Sequence, residues 1–167
     1  PPAAAPDTLV VWQHEHLVAE GVRIIPREHL HVTLAFLGHR PASELPGILA
    51  ALREAAGALA EPPRLTAGRY RETRSVGMLD LDDEGGRATA LAEDLQGRLE
   101  ELGVYRRERR TWLPHLTVAR FREPRGLRPP LPNRGTYVLI PSDASAYLSR
   151  LQPGGARYEI LESVELS

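Results

Sequence analysis

His31-Val32-Thr33-Leu34 and His115-Leu116-Thr117-Val118 repeat one pattern, His-x-Thr with apolar residues interleaved, in different halves of a 167-residue chain. Around the first, Leu30, Val32, Leu34 and Phe36 alternate with polar or small residues, the period-2 signal of a half-buried strand. Successive strand side chains point to opposite sides, so His31, Thr33 and Ala35 share the other face. In the second, Leu116 and Val118 take one face, His115 and Thr117 the other. With six His and eight Thr in the chain, composition alone predicts about 0.3 occurrences of His-x-Thr. A single occurrence is most simply a surface or hydrogen-bonded structural histidine. Two, each inside an apolar alternation, point to in-line chemistry at a phosphate.

Composition sets the outer bounds. At 18.5 kDa, with 42% hydrophobic and 26% charged residues, the chain suits one soluble globular domain. A net charge of −1 supplies no global field to gather nucleic acid, which argues against an RNA-coating surface and leaves room for a local basic groove. There is no cysteine, so neither disulfides nor thiolate chemistry contribute. All 21 basic residues are arginine, which a GC-rich coding genome explains as simply as selection does. No apolar run approaches a bilayer span and no signal-peptide pattern appears, so the cytoplasm is the expected compartment.

Along the chain, Pro6-Asp7 and Gly21 bracket a helix over 7–20, with Leu9, Val10, Trp12, Leu17 and Val18 as its apolar stripe. Paired strands are expected at 22–25 and 29–37, with Pro26-Arg27-Glu28 as the turn. A helix begins after Ser43 with Leu45, Ile48, Leu49 and Leu52 inward, and Pro62-Pro63 ends it. Strands at 64–71 and 75–81 follow, then a solvated loop at Asp82-Asp83-Glu84-Gly85-Gly86. That carboxylate cluster matches no calcium-loop spacing. Residues 87–102 form the clearest helix, with Leu91, Leu95, Leu99 and Leu102 on one stripe and Gly103 as its stop. The second signature strand runs 114–121, a loop rich in Pro, Gly and Arg covers 122–134, and strands at 136–140, 144–150 and 156–165 close the chain. The alternation is that of an α+β fold of antiparallel sheets with outer helices.

At the two signatures the residues carry a resemblance. Pro26-Arg27-Glu28-His29-Leu30-His31-Val32-Thr33-Leu34-Ala35-Phe36-Leu37-Gly38 and Pro114-His115-Leu116-Thr117-Val118-Ala119-Arg120 resemble the paired motifs of the 2H phosphoesterase superfamily. Its bacterial and archaeal RNA 2′,3′-cyclic phosphodiesterase branch, also called 2′-5′ RNA ligase, is the nearest match. The resemblance implies residues 1–167 as a single domain of two pseudo-symmetric lobes enclosing a central groove, one His-x-Thr from each. It also implies a short strand ahead of the first helix, and the sequence begins at the loop into that helix, so this strand is expected to be lacking. One departure stands out: many relatives carry a basic residue where this chain has Leu113.

Hydrolysis of a 2′,3′-cyclic phosphate needs a base for water, an acid for the leaving ribose oxygen, and donors for the nonbridging oxygens. With an unperturbed pKa of about 6.5, histidine serves as either acid or base. Two histidines flanking one phosphate divide those roles without a metal or cofactor. Thr33 and Thr117, two residues along on the same faces, are placed to donate to phosphate oxygens. The near symmetry of the motifs leaves the two roles unassigned. The resemblance implies His31 as proton donor, His115 as proton acceptor and a 2′-phosphate product, with reversible 2′-5′ ligation as an accompanying reaction. It also brings in Arg120, whose guanidinium matches phosphate. Strict alternation puts Arg120 on the face opposite His115, so it reaches the phosphate only where the strand bends, bulges or ends.

Other residues fit blander readings. Arg106, Arg107, Arg109 and Arg110 are a solvated loop or an RNA-backbone contact. Tyr70, Tyr105 and Trp112 are the few aromatics that could stack on a base, and Trp112 fits a core position equally well. A metal-hydrolase alternative uses His14, His16, His29 and His39, with His29 and His31 on one strand face. However, His14 and His16 diverge on a helix. The expected partner is an RNA or oligonucleotide end bearing a 2′,3′-cyclic phosphate, bound by a monomer with no membrane and no metal. A noncatalytic RNA- or nucleotide-binding module and a phosphodiesterase acting on another cyclic phosphate are the alternatives.

Overall fold

A computed structural model describes residues 4–132 and 138–166, in the order α1 (Ala4–His16), β1 (Val22–Ile24), α2 (Leu45–Gly57), β2 (Arg64–Glu72), β3 (Val76–Glu84), α3 (Arg87–Glu101), β4 (His115–Phe121), β5 (Asp143–Gln152) and β6 (Gly155–Glu165). Short 3-10 turns at Arg27–His29 and Ala42–Glu44 complete it. The strands form two antiparallel sheets, one of four strands in the order β1-β4-β3-β2 and one of two, β5-β6. The fold is α+β.

The chain divides into two compact units, of which the first comprises residues 1–33, 63–89 and 111–140. Its core gathers Leu9, Trp12 and Leu17 with the inward residues of the four-stranded sheet, Leu65, Leu79, Leu81, Leu116 and Val118. Burying each such side chain contributes about 1.5–3 kcal/mol. Both His-x-Thr signatures fall in this unit, whereas the resemblance implies one per lobe. The second unit comprises residues 34–62, 90–110 and 141–167. There Ile48, Leu52 and Ala55 of α2 pack with Leu91, Leu95 and Leu99 of α3 and Ala144 of β5.

Several expected boundaries move. Helix α1 ends at His16 rather than residue 20, because Val22 N–H closes a turn on Ala19 C=O and Gly21 sits at φ +76°. Gly21 thus reverses the chain into β1 instead of capping the helix, and Val18 is exposed. Asp82-Asp83-Glu84 belong to β3, and only Gly85-Gly86 turn. Asp83 accepts from Ala88 N–H (3.1 Å) and from Thr89 N–H and Oγ1–H (both 2.7 Å), capping the orphan donors of α3. Leu102 lies past the end of α3 and is exposed. Of the strand expected at 136–140, Leu139 forms an isolated antiparallel bridge to Leu65, and 133–137 lie outside the described residues.

The largest correction concerns residues 29–37. Residues 27–29 form a 3-10 turn and no strand is assigned to the segment after it, so β1 pairs with β4 instead of with residues 29–37. Alternation survives from Leu30 to Leu34, with His31 and Thr33 outward. It then breaks at Ala35, so Phe36 is 79% exposed instead of joining the core.

Candidate active site

The second signature lies on an interior strand. In register across the sheet, His115 of β4 faces Asp80 of β3, which faces Arg69 of β2. One step along, Thr117 faces Met78, which faces Arg71. Directly opposed residues share a face, so these side chains stand together on the side away from the unit's core. Leu116 and Val118 point inward and are buried.

A β-bulge decides where Arg120 goes. The register slips between Gly77↔Ala119 and Met78↔Thr117, leaving Val118 as the extra residue on β4. Alternation therefore restarts out of phase: Ala119 and Phe121 are buried and Arg120 is exposed. A regular strand would have sent Arg120 to the core side. The bulge returns it to the face of His115 and Thr117, meeting the geometric condition set by the sequence. Gln13, fully buried on α1, holds this bulge. Its Nε2–H₂ donates to Val118 C=O (2.9 Å) and Ile25 C=O (3.0 Å). Gly77, across from the bulge, makes room for the Tyr70 hydroxyl, which a Cβ there would meet at 2.5 Å.

The first signature is held by side chains rather than by a ladder. Leu30 and Val32 pack on the first unit's core. Thr33 C=O, which a strand would have given to a neighbour, accepts the Trp112 indole N–H at 3.0 Å. Trp112 stands three residues before His115, so this bond ties one signature directly to the approach of the other. Trp112 also packs on the first unit's core, so of the two readings, base stacking and core, the core one holds, with the indole N–H used for positioning.

The two imidazoles are oriented alike. His31 Nδ1 lies 2.6 Å from His29 C=O, and His115 Nδ1 lies 3.0 Å from Leu113 C=O. A carbonyl only accepts, so in both rings Nδ1 carries the proton and Nε2 is the working nitrogen. Nε2 then accepts a proton when the ring is neutral and donates one when it is charged. The same contact at the same i−2 offset prepares both residues for acid–base work.

The remaining candidates divide. Tyr70 O–H donates to Glu72 (2.9 Å), and burial followed by that bond raises its pKa. Tyr105 packs on the second unit's core and, with Phe36, Arg40 and Arg106, lines a cleft of about 400 Å³ in that unit. Arg107 pairs with Glu100 and Arg110 with Glu108. His29 is in a 3-10 turn, so the shared strand face of His29 and His31 does not form. Among the described residues no group of three or more His, Asp or Glu is arranged to hold a metal, and no helix is long and apolar enough to cross a membrane.

Sequence reasoning passed over Gln13, Asp80, Glu72, Arg69 and Arg71. Asp80 accepts from Arg69 (Nη2, 2.9 Å) and Arg71 (Nε, 2.8 Å). Glu72 accepts the backbone N–H of Arg125 (3.0 Å), Gly126 (2.8 Å) and Leu127 (2.9 Å). Burial pushes the Glu72 pKa up, and these bonds with that of Tyr70 outweigh it, so the net shift is downward. The only local hint was Gly68, an isolated glycine inside a strand pattern.

Comparison with known proteins shows the family. Residues 2–133 match the model of the 2′-5′ RNA ligase superfamily. The RNA 2′,3′-cyclic phosphodiesterase of Thermus thermophilus is 33% identical over 162 residues, covering 87% of this chain and 76% of that protein. The crystal structure of TT0787, also from Thermus thermophilus, superposes with a TM-score of 0.78 at 29% identity, over 99% of this chain and 93% of that one. Escherichia coli LigT in its apo form gives 0.76 at 25% identity, over 99% and 92%. With both histidine–threonine signatures inside the matched span, the chain belongs to the 2′-5′ RNA ligase superfamily of 2H phosphoesterases.

Proposed function

We propose that the protein hydrolyses RNA 2′,3′-cyclic phosphate ends to 2′-phosphomonoesters by two-histidine acid–base catalysis, with reversible 2′-5′ ligation, in which a 5′-hydroxyl takes the place of water, as an accompanying reaction. His115 Nε2 takes a proton from water as its oxygen attacks phosphorus. The P–O3′ bond breaks, and His31 Nε2–H protonates the departing O3′. Thr33 and Thr117 donate to the nonbridging oxygens, and Arg120 offsets the charge that builds on them. The division of roles and the 2′-phosphate product follow the family resemblance. No metal enters the scheme, and the enzyme is expected to act as a cytoplasmic monomer.

The observation that carries this reading is the shared Nδ1-to-carbonyl contact of His31 and His115. Binding a phosphate alone requires no matched pair of proton-transfer groups with the same nitrogen turned outward. The test is turnover of an oligoribonucleotide ending in a 2′,3′-cyclic phosphate with EDTA present. Wild type is expected to release the 2′-phosphate, and His31→Ala and His115→Ala to lose turnover while remaining folded. Activity surviving both substitutions contradicts the mechanism. A folded wild type that turns over no such end contradicts the substrate.

A further inference from the structure

Beside β2 the first unit has a cleft of about 380 Å³ lined by Gly68, Arg69, Tyr70, Leu127, Arg128 and Pro129, among others. That volume falls in the range of small-ligand sites. We infer that this cleft, with Arg71 at its margin, is a subsite for the nucleotide immediately 5′ of the cyclic phosphate, so that an oligonucleotide end is preferred over a mononucleotide.

Three independent features converge on it. The first is register. β2 carries its own bulge, with Gly68 unpaired between Ala67↔Leu81 and Arg69↔Asp80. Leu65 and Ala67 are buried before it and Arg69 is exposed after it. The bulge therefore turns Arg69 and Arg71 outward, onto the face of His115 and Thr117, as the β4 bulge does for Arg120. Arg69 and His115 stand two strand spacings apart, about 10 Å, a gap that one nucleotide bridges.

The second is charge. Asp80 answers two guanidiniums at once and the Asp82 carboxylate lies over Gly68, so Arg69 and Arg71 are balanced, and the positive charge in excess is that of Arg128 across the cleft. A phosphodiester supplies the matching anion, and guanidinium forks bind it in defined geometry.

The third is construction. The far wall, 127–131, is fastened at both ends. Glu72 takes the N–H groups of residues 125–127, and the Trp12 indole donates to Pro130 C=O at 2.7 Å. A wall already in place spares the ligand the entropy of ordering it. Its apolar members Pro129 and Leu131 suit a sugar or base.

The direction follows from the substrate: a cyclic phosphate closes the 3′ end, so every further nucleotide lies on its 5′ side. The inference thus rests on the proposed function, and the experiment separates the two. Wild-type kcat/KM is compared on a nucleoside 2′,3′-cyclic monophosphate and on a dinucleotide with the same cyclic end. The dinucleotide should be preferred on the order of tenfold to a hundredfold, and less so as salt rises. Arg69→Gln and Arg128→Gln should each lower that ratio through KM, and together bring it towards one. Equal use of the two substrates by wild type, or a ratio indifferent to both substitutions, overturns the subsite. Failure of wild type on both substrates overturns the underlying function instead.

Discussion

The two signatures reach the same local geometry by different means. His115-Leu116-Thr117-Val118 lies on an interior strand of a four-stranded sheet, where β3 fixes the register of His115–Thr117 and β1 pairs with Ala119–Phe121 just beyond. His31-Val32-Thr33-Leu34 has no assigned strand; its apolar residues pack inward and the Trp112 indole takes the carbonyl of Thr33. In both, Nδ1 meets the carbonyl two residues back. What the chemistry needs is a fixed Nε2, and a ladder or a side-chain pin supplies it equally well. Alternation alone therefore sets which residues face out, not what holds them there.

This comparison yields graded expectations. If the two histidines are equivalent partners, His31→Ala and His115→Ala should cost similar factors, about 10²–10⁴ in kcat, despite their different supports. Steady-state kinetics on a cyclic-phosphate-ended oligonucleotide, with circular dichroism as the folding control, measures this. A large loss from only one would make the pair unequal.

Loosening the laddered side should show chiefly in stability. Gln13→Leu removes the buried donor to Ile25 and Val118 carbonyls. It also removes Gln13 Oε1, which is buried without a hydrogen-bond partner among the described residues, so part of the loss is offset. A net destabilisation of about 2 kcal/mol is expected in urea denaturation. KM should rise as the bulge slackens and Arg120 loses its place.

On the pinned side the balance reverses. Trp112→Phe keeps the ring and deletes the N–H to Thr33. Stability should fall by only about 1 kcal/mol, while kcat falls about tenfold as the first signature drifts. An unchanged kcat would show that the pin is dispensable and that packing of Leu30 and Val32 suffices.

The smallest effect belongs to Glu72, outside both signatures. Its folded pKa lies below the ordinary carboxylate value, with burial opposed and outweighed by hydrogen bonds. The sign is fixed: its contribution is complete above the unfolded pKa and is lost as pH falls through the folded one. Anchoring of 125–127 should therefore weaken below the usual carboxylate range, read as faster amide exchange there. Glu72→Gln should bring the same exchange to neutral pH.

How much of this was legible in the sequence follows the range of the interactions involved. Strand β4 and helix α3 stand within a residue of their expected limits, because alternation and the leucine stripe are local signals. Arg120 was legible only as a condition, since a bulge is set by pairing with β3 and by Gln13, 105 residues away from Val118. Phe36 was misread because apolar period implies burial, and nothing local marks where alternation breaks at Ala35. The Trp112–Thr33 and Trp12–Pro130 bonds span 79 and 118 residues, beyond the reach of any window. Glu72 looked like a solvent carboxylate because its partners are backbone amides, which carry no sequence signature.

The central claim is that His31 and His115 act as an acid–base pair through Nε2, and the pH dependence of kcat/KM tests it most directly. Wild type should give a bell: the acidic limb records the base that must be neutral, the alkaline limb the acid that must be charged. His115→Ala should lose the acidic limb and keep the alkaline one, and His31→Ala should do the reverse. Variants that both keep the full bell, or both lose the same limb, would contradict the account.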